Sequence, residues 1–144
     1  MRTAGKTWLI SLAMALPVGA LAQEGADFGK YEYYTKCASC HGVSGKGDGA
    51  VAKYLTKAPP DLTTYAKRNG GVFPTQLAWQ AIDGRPVAIS AHGTREMPVW
   101  GQDFRREAAI RPADRLDPAG PGPEWHVARR ITALVDYLAS IQAK

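Results

Sequence analysis

Both cysteines of the sequence lie in one five-residue stretch, residues 37–41, which reads Cys-Ala-Ser-Cys-His. Two thiols separated by two residues and followed at once by an imidazole form a C-x-x-C-H pattern, which is typical of covalent haem attachment. The thiols of Cys37 and Cys40 would bond the haem, and His41 would supply an axial ligand to its iron. A chain that holds such a group must fold around a large flat cofactor. This motif therefore constrains the fold more than any other part of the sequence.

Two other kinds of site use a cysteine pair at this spacing, namely a redox disulfide and half of a zinc site. A thioredoxin-like pair needs a strand before it, whereas the segment before Cys37 has helical character. A zinc site needs further ligands, and His92 and His126 are far apart in the sequence. A structural disulfide across two residues would constrain little. The residues therefore favour haem attachment.

The first 22 residues are typical of a secretory signal peptide. A positively charged start and an apolar run from Trp8 to Leu16 precede an A-x-A cleavage pattern at residues 20–22. The apolar run is shorter than the roughly 20 residues that span a bilayer, so we expect cleavage after Ala22 rather than a retained anchor. Residues 23–144 would then form one domain, exported to an oxidising compartment, which we expect to be the periplasm.

The charge distribution does not indicate a nucleic-acid partner. Cleavage would leave 16 of the 18 Lys and Arg residues and all 13 Asp and Glu residues, which lowers the formal net charge from +5 to +3. The basic residues are scattered, as on a solvated mixed surface. No later apolar stretch is long enough for a transmembrane helix, so we expect no stable membrane insertion after cleavage.

Helical spacing predicts an all-α fold without convincing strands. Three helices are expected, over residues 27–37 with Asp27 as cap, over residues 74–84, and over residues 123–141 with proline at the first position. The segment from Arg105 to Pro123 is polar and rich in proline, and it predicts a long surface connection.

The second axial ligand of the iron must come from elsewhere in the chain. Met97 is the one methionine that remains after cleavage, and it lies 56 residues beyond His41, far enough to reach the opposite haem face. A thioether is a good ligand for haem iron and, opposite histidine, raises the reduction potential. His92, five residues earlier, is the alternative ligand, and His126 is a third candidate.

The stretch around Pro59 and Pro60 is extended and predicts a partner for His41. A ligating imidazole usually donates its second N–H to a carbonyl group, and a proline carbonyl here could accept it. A plain proline turn explains the same residues equally well.

Residues 23–144 resemble the class I c-type cytochromes, in particular the small monohaem bacterial type. The resemblance rests on the C-x-x-C-H motif, on the segment Met97-Pro98-x-Trp100-Gly101, and on the first and last helices. It implies a class I cytochrome c fold, in which the N- and C-terminal helices cross and loops wrap around one haem c. In that family a glycine and an aromatic residue of the first helix meet a leucine and an aromatic residue of the last helix, and Gly29, Tyr33, Leu134 and Tyr137 stand at the matching positions here.

The resemblance also implies the site residues. The family's Pro-x-Leu stretch looks like residues 60–62, with Pro59 as the other candidate. Iron would be bound by His41 and Met97, and haem c would be held by Cys37, Cys40, Pro59, Pro60 and Trp100.

The function implied by the resemblance is electron transfer, in which the haem carries one electron and the protein is not an enzyme. Its partners would be a dehydrogenase or reductase on one side and a terminal oxidase on the other. The alternative is a haem subunit, small redox enzyme or gas sensor, with an exchangeable sixth ligand or with His92 in that position. No convergent cluster of acid–base groups favours this alternative.

Overall fold

A computed structural model of the chain describes residues 19–84, 97–110 and 122–143. Within these ranges the chain forms helices and no strand, as the all-α prediction requires. In chain order the α-helices are α1 (Gly19–Lys36), α2 (Ala38–His41), α3 (Tyr65–Arg68), α4 (Thr75–Asp83), α5 (Trp100–Ile110) and α6 (Pro123–Ser140), with 3-10 turns at Ala52–Tyr54 and Leu62–Thr64. No helix in the described part of the chain has the length and apolar character of a membrane span.

The most extensive helix contact joins α1 to α6. Gly29 permits it, because a Cβ at this position would overlap the backbone carbonyl of Ala133 and would lie 3.2 Å from the Cβ of Tyr137. One turn later, the fully buried ring of Tyr33 lies 5.2 Å from the ring of Tyr137, measured between centroids. The predicted crossing of the terminal helices is present, and the backbone that lies nearest to Gly29 is that of Ala133, the residue before Leu134.

Helix α6 forms the centre of the core, since it contacts α1, α4 and α5. Its buried residues Val127, Ile131, Leu134 and Leu138 recur at three- and four-residue steps and form one apolar stripe. Burial of each such side chain contributes roughly 1.5–3 kcal/mol relative to exposure. Ile141, the last residue of the predicted stripe, is half-buried just after the helix ends.

Helix α1 begins earlier than the sequence predicted. It starts at Gly19, so Asp27 lies inside the helix, and its predicted role as the cap was wrong. Residues 20–23 are alanine, leucine and glutamine, which favour helix, and no proline separates them from Asp27. Cleavage after Ala22, which stays a prediction, would remove the first turn of α1.

Helix α5 contradicts the prediction of a surface connection from Arg105 to Pro123. Residues 100–110 are helical, and residues 111–121 lie outside the described part of the chain. Trp100, Phe104 and Ala108 recur at four-residue steps on one helix face, and the last two are buried. Charged residues between them obscured this pattern, and two of these, Arg105 and Glu107, have their partners on other helices.

A network of four charges joins α5 to α1 and α6. The guanidinium of Arg130 donates two hydrogen bonds to the buried carboxylate of Glu32, at 2.8 and 3.0 Å, and a third to Glu107 at 2.6 Å. Lys36 also donates to Glu107, at 2.6 Å. Burial acts to raise the pKa of Glu107, but the hydrogen bonds from Lys36 and Arg130 hold this pKa below its usual value. The stabilisation by Glu107 is therefore present at neutral pH and is lost as the pH falls through that lowered value.

The substitution Gly29→Ala tests the close contact between α1 and α6. The added methyl group would overlap the Ala133 carbonyl, so the helices must move apart. We expect the free energy of unfolding, measured by urea denaturation, to fall by about 1–3 kcal/mol.

The control is Gly122→Ala at the start of α6, where the added methyl group has no atom within 4 Å. It should cost only about 0.5 kcal/mol through the weaker helix cap. Equal losses in the two variants would show that α1 and α6 tolerate a side chain between them.

Candidate functional site

The C-x-x-C-H motif forms one helical turn that continues directly from α1. The backbone N–H of Cys37 donates to Tyr33 in α1 at 2.8 Å, and the N–H of His41 donates to the carbonyl of Cys37 at 2.9 Å. Because the turn is hydrogen-bonded to the end of α1, the crossing of α1 with α6 also positions the motif. The motif is therefore anchored to the most extensive contact of the fold.

Two adjoining cavities, of about 170 and 40 Å³, lie beside this turn. Cys37, His41 and Met97 line both of them. The larger cavity is also lined by Cys40, Pro59, Pro60 and Trp100. All seven residues that the sequence predicted for the site therefore meet at one place.

The smaller cavity is enclosed almost entirely by apolar and aromatic side chains. They come from α1, α3, α4 and α6 and include Tyr33, Tyr65, Ile82, Leu134 and Leu138. A wall of this kind excludes water from a flat hydrophobic group and contributes to its binding.

His41 is buried, with 8% of its surface exposed. Its Nδ1 lies 3.4 Å from the carbonyl oxygen of Pro60, near the outer limit for a hydrogen bond. With the proton on Nδ1, this atom donates to Pro60 and Nε2 becomes the atom available to a metal. Of the two candidate prolines, Pro60 is thus the one whose carbonyl faces His41, whereas the Pro59 carbonyl packs against Gly47.

The glycine-rich loop after the motif hydrogen-bonds back to it. The N–H of Gly47 donates to the His41 carbonyl at 2.8 Å, and the N–H of Gly49 donates to the Cys40 carbonyl at 3.1 Å. Leu62 then donates its N–H to Gly45 at 2.7 Å, which brings the proline stretch alongside the loop. The loop therefore satisfies the last carbonyls of the motif and sets the position of Pro60.

Tyr33 has a role that the sequence did not reveal. Its hydroxyl donates to the carbonyl of Gly42, the residue after the motif, at 2.7 Å. Burial, together with the nearby Cys37, raises the pKa of Tyr33, so the phenol stays a neutral donor. The sequence predicted only an aromatic contact here, because the partner is a backbone atom whose position depends on the folded loop.

Both cysteines of the motif are partly buried. Burial, with smaller contributions from Glu32 and Cys40, raises the pKa of the Cys37 thiol to about 12. Disulfide exchange requires a thiolate, so this environment does not favour a redox disulfide. In the described ranges, moreover, no three His, Cys, Asp or Glu side chains gather as metal ligands.

The candidate ligands on the other side of the cavity differ in their placement. Met97 is half-buried and lines both cavities, three residues before α5 begins. His126 lies in α6, where its ring packs against Trp125 with centroids 5.1 Å apart, and it lines a different cavity, shared with Phe28. His92 lies outside the described residues.

These residues fit a covalently bound haem. Two thiols lie at the wall of a largely apolar cavity, an oriented imidazole reaches it from α2, and a thioether sulfur belongs to the same lining. Cys37 and Cys40 would hold the haem, and His41 would bind its iron. The bound haem supplies a reversible ferric–ferrous couple.

Comparison with known proteins agrees with this geometry. The profile of the cytochrome c family matches residues 26–142, and the chain therefore belongs to that family. The predicted resemblance and the predicted cytochrome c fold are both confirmed. The cofactor is haem c with its iron, and Cys37 and Cys40 fit the family's attachment motif, so the protein acts in haem-based electron transfer. Searches of curated proteins and of solved structures returned no match.

The double substitution Cys37→Ala/Cys40→Ala tests how much of the fold depends on the attached haem. Without the attached haem, the apolar side chains that line the cavity lose the group that they pack against, so we expect a poorly folded chain. Circular dichroism should show reduced helix content, and urea should produce no cooperative transition.

Ser39→Ala is the matched control, because Ser39 lies between the two cysteines, is exposed and leaves both thiols in place. This variant should keep its haem and unfold cooperatively. A cooperative native fold in the haem-free double variant would refute a structural role of the cofactor.

Proposed function

We propose that this protein is an exported, periplasmic carrier of one electron, whose haem iron is bound by His41 and Met97. The observation that carries the proposal is the shared cavity, because these two side chains line it from segments far apart in the sequence. His41 belongs to the turn that follows α1, and Met97 precedes α5. A haem whose iron is bound on both faces requires two ligands from separate parts of the fold.

The chemistry of the two ligands favours a carrier over an enzyme. The Pro60 carbonyl orients the imidazole of His41, and a thioether opposite histidine raises the reduction potential of the iron. With both axial positions taken by the protein, oxygen and peroxide find no open position. Among the described residues that line the two cavities there is no carboxylate, so these residues provide no pair of carboxylates for acid–base catalysis.

The surroundings of the site favour a protein partner. Lys36 and Lys57 line the larger cavity. Lys36 is paired with Glu107, and the positive charge of Lys57 attracts an acidic surface. A dehydrogenase or reductase would donate the electron, and a terminal oxidase would accept it. The signal-like sequence of the first 22 residues supports placing these partners in the periplasm.

The substitution Met97→Ala tests the ligation. Bonding between methionine sulfur and ferric haem iron gives a weak far-red absorption band, which we expect in the unaltered protein. Loss of the sulfur should abolish the band and open the iron, so the ferrous variant should bind carbon monoxide rapidly.

The matched control is Leu55→Ala, which shortens another side chain of the same cavity but removes no ligand atom. This variant should keep the far-red band. Absence of the band in the unaltered protein, or its survival in Met97→Ala, would exclude Met97, and a His92→Ala variant would then test the alternative ligand.

Export is tested by the mass of the protein recovered from the periplasmic fraction of a Gram-negative host. We expect an N-terminus at Gln23, because small residues at positions 20 and 22 form the cleavage pattern. The control Ala22→Trp should accumulate as the uncleaved precursor. Recovery of the unaltered protein with its first 22 residues in the membrane fraction would instead indicate a retained anchor.

A further inference from the structure

Met97 lies only three residues before α5 and follows directly on residues 85–96, which are outside the described part of the chain. Within the described residues, its position therefore depends on how the start of α5 is held. The α4–α5 contact provides that support.

The end of α4 and the start of α5 pack at close range. Gly84 ends α4 with a positive φ of 79°, and its Cα faces the side chain of Val99. On α5, a Cβ at Gly101 would overlap the carboxylate of Asp83. Gly84 and Gly101 thus allow residues 99–101, directly after Met97 and Pro98, to approach the end of α4.

Arg105 connects this contact to the rest of the core. Its Nη2 donates to Oδ1 of Asp83 at 3.1 Å, and its Nε donates to Oε1 of Glu124 at 2.8 Å. The Asp83 side chain is only 1% exposed, so removal of the guanidinium would leave a buried carboxylate without this charge-assisted partner. One side chain of α5 therefore joins α4 to the first turn of α6.

Other charges of α5 do not act at this place. Arg106 pairs with Asp103 within α5 on the exposed surface. Glu107 joins α5 to Arg130 and Lys36, on α6 and α1, rather than to α4. The Asp83–Arg105 pair is thus distinguished among the described ion pairs of α5, because it joins this helix to α4.

We propose that the Asp83–Arg105 pair is a positioning device for Met97. The pair holds the start of α5 against the end of α4 and thereby keeps the methionine sulfur in the haem cavity. This inference rests on the proposed ligation by His41 and Met97. Arg105 and Asp83 act through the backbone that leads to the ligand and do not touch the haem cavity themselves.

The test uses the ferric, haem-loaded Arg105→Ala protein and two readouts, the far-red band and the affinity for added imidazole, which competes with Met97 for the iron. We expect a weaker band and imidazole binding that is tighter on the order of tenfold, the scale of one charged hydrogen bond. Arg105→Lys should restore part of both, because an ammonium group can still donate to Asp83.

Two control variants separate positioning from general stability. Arg106→Ala removes an exposed pair within α5 and should change neither readout. Arg130→Ala removes the partly buried network that joins α6 to Glu32 of α1 and Glu107 of α5 but does not reach α4, so it should lower the urea midpoint while the far-red band is retained. If Arg105→Ala fails to fold, Asp83→Asn gives the same test, since it removes the charge and keeps the side-chain shape.

The outcomes distinguish this inference from the ligation on which it rests. If the unaltered protein shows the far-red band but Arg105→Ala binds imidazole with unchanged affinity, the positioning role is overturned and the ligation by Met97 still stands. Equal changes in Arg105→Ala and Arg130→Ala would also overturn it, because the effect would then be one of stability. Absence of the band in the unaltered protein would refute both the ligation and the inference.

Discussion

The close approach of α1 and α6 at Gly29 is the contact on which the haem site depends. The backbone of Ala133 occupies the space that a side chain at position 29 would need. The same helix continues by hydrogen bonds into the turn that carries Cys37 and His41. Helix α6 also contributes Leu134 and Leu138 to the wall of the smaller cavity. One helix crossing thus determines both where the cofactor is attached and what it packs against.

The fold has two sides around its cavity, and charged side chains connect them. The histidine side is built on α1 and α6, while the methionine side is built on α4 and α5. Arg130 bonds carboxylates of α1 and α5, and Arg105 bonds carboxylates of α4 and α6. These cross-links add to the contacts that α6 makes with α1, α4 and α5 in fixing the mutual orientation of the helices. Under the proposed ligation by His41 and Met97, electron transfer would benefit from this arrangement, since ligands that do not move leave little to rearrange when the iron changes oxidation state.

The sequence predicted those parts of the structure that rest on local signals. The motif at Cys37, the proline at the start of α6 and the apolar stripe of α6 each express a rule that acts within a few residues. The sequence did not predict helix α5, because charged residues such as Arg105 and Glu107 interrupt its apolar pattern. These residues form ion pairs with other helices. Two contacts of the site involve backbone carbonyls, namely that of Tyr33 with Gly42 and that of His41 with Pro60. A pattern of side chains in the sequence does not predict such contacts. Helix α1 begins earlier than predicted because residues 20–23 favour helix. Since the first 22 residues are typical of a signal peptide, the sequence predicted that the helix would begin only after them.

The glycine-rich loop after the motif has a consequence for the evolution of this chain. Surface loops ordinarily accept substitutions and insertions most readily. Here Gly42 and Gly47 both have positive φ angles, and a side chain at either would meet Asp48 or the Pro59 carbonyl. The loop also returns hydrogen bonds to the residues that bind the cofactor. Sequence drift should therefore be as slow in this loop as in the interior, and lineages that diverge should accumulate their length changes elsewhere.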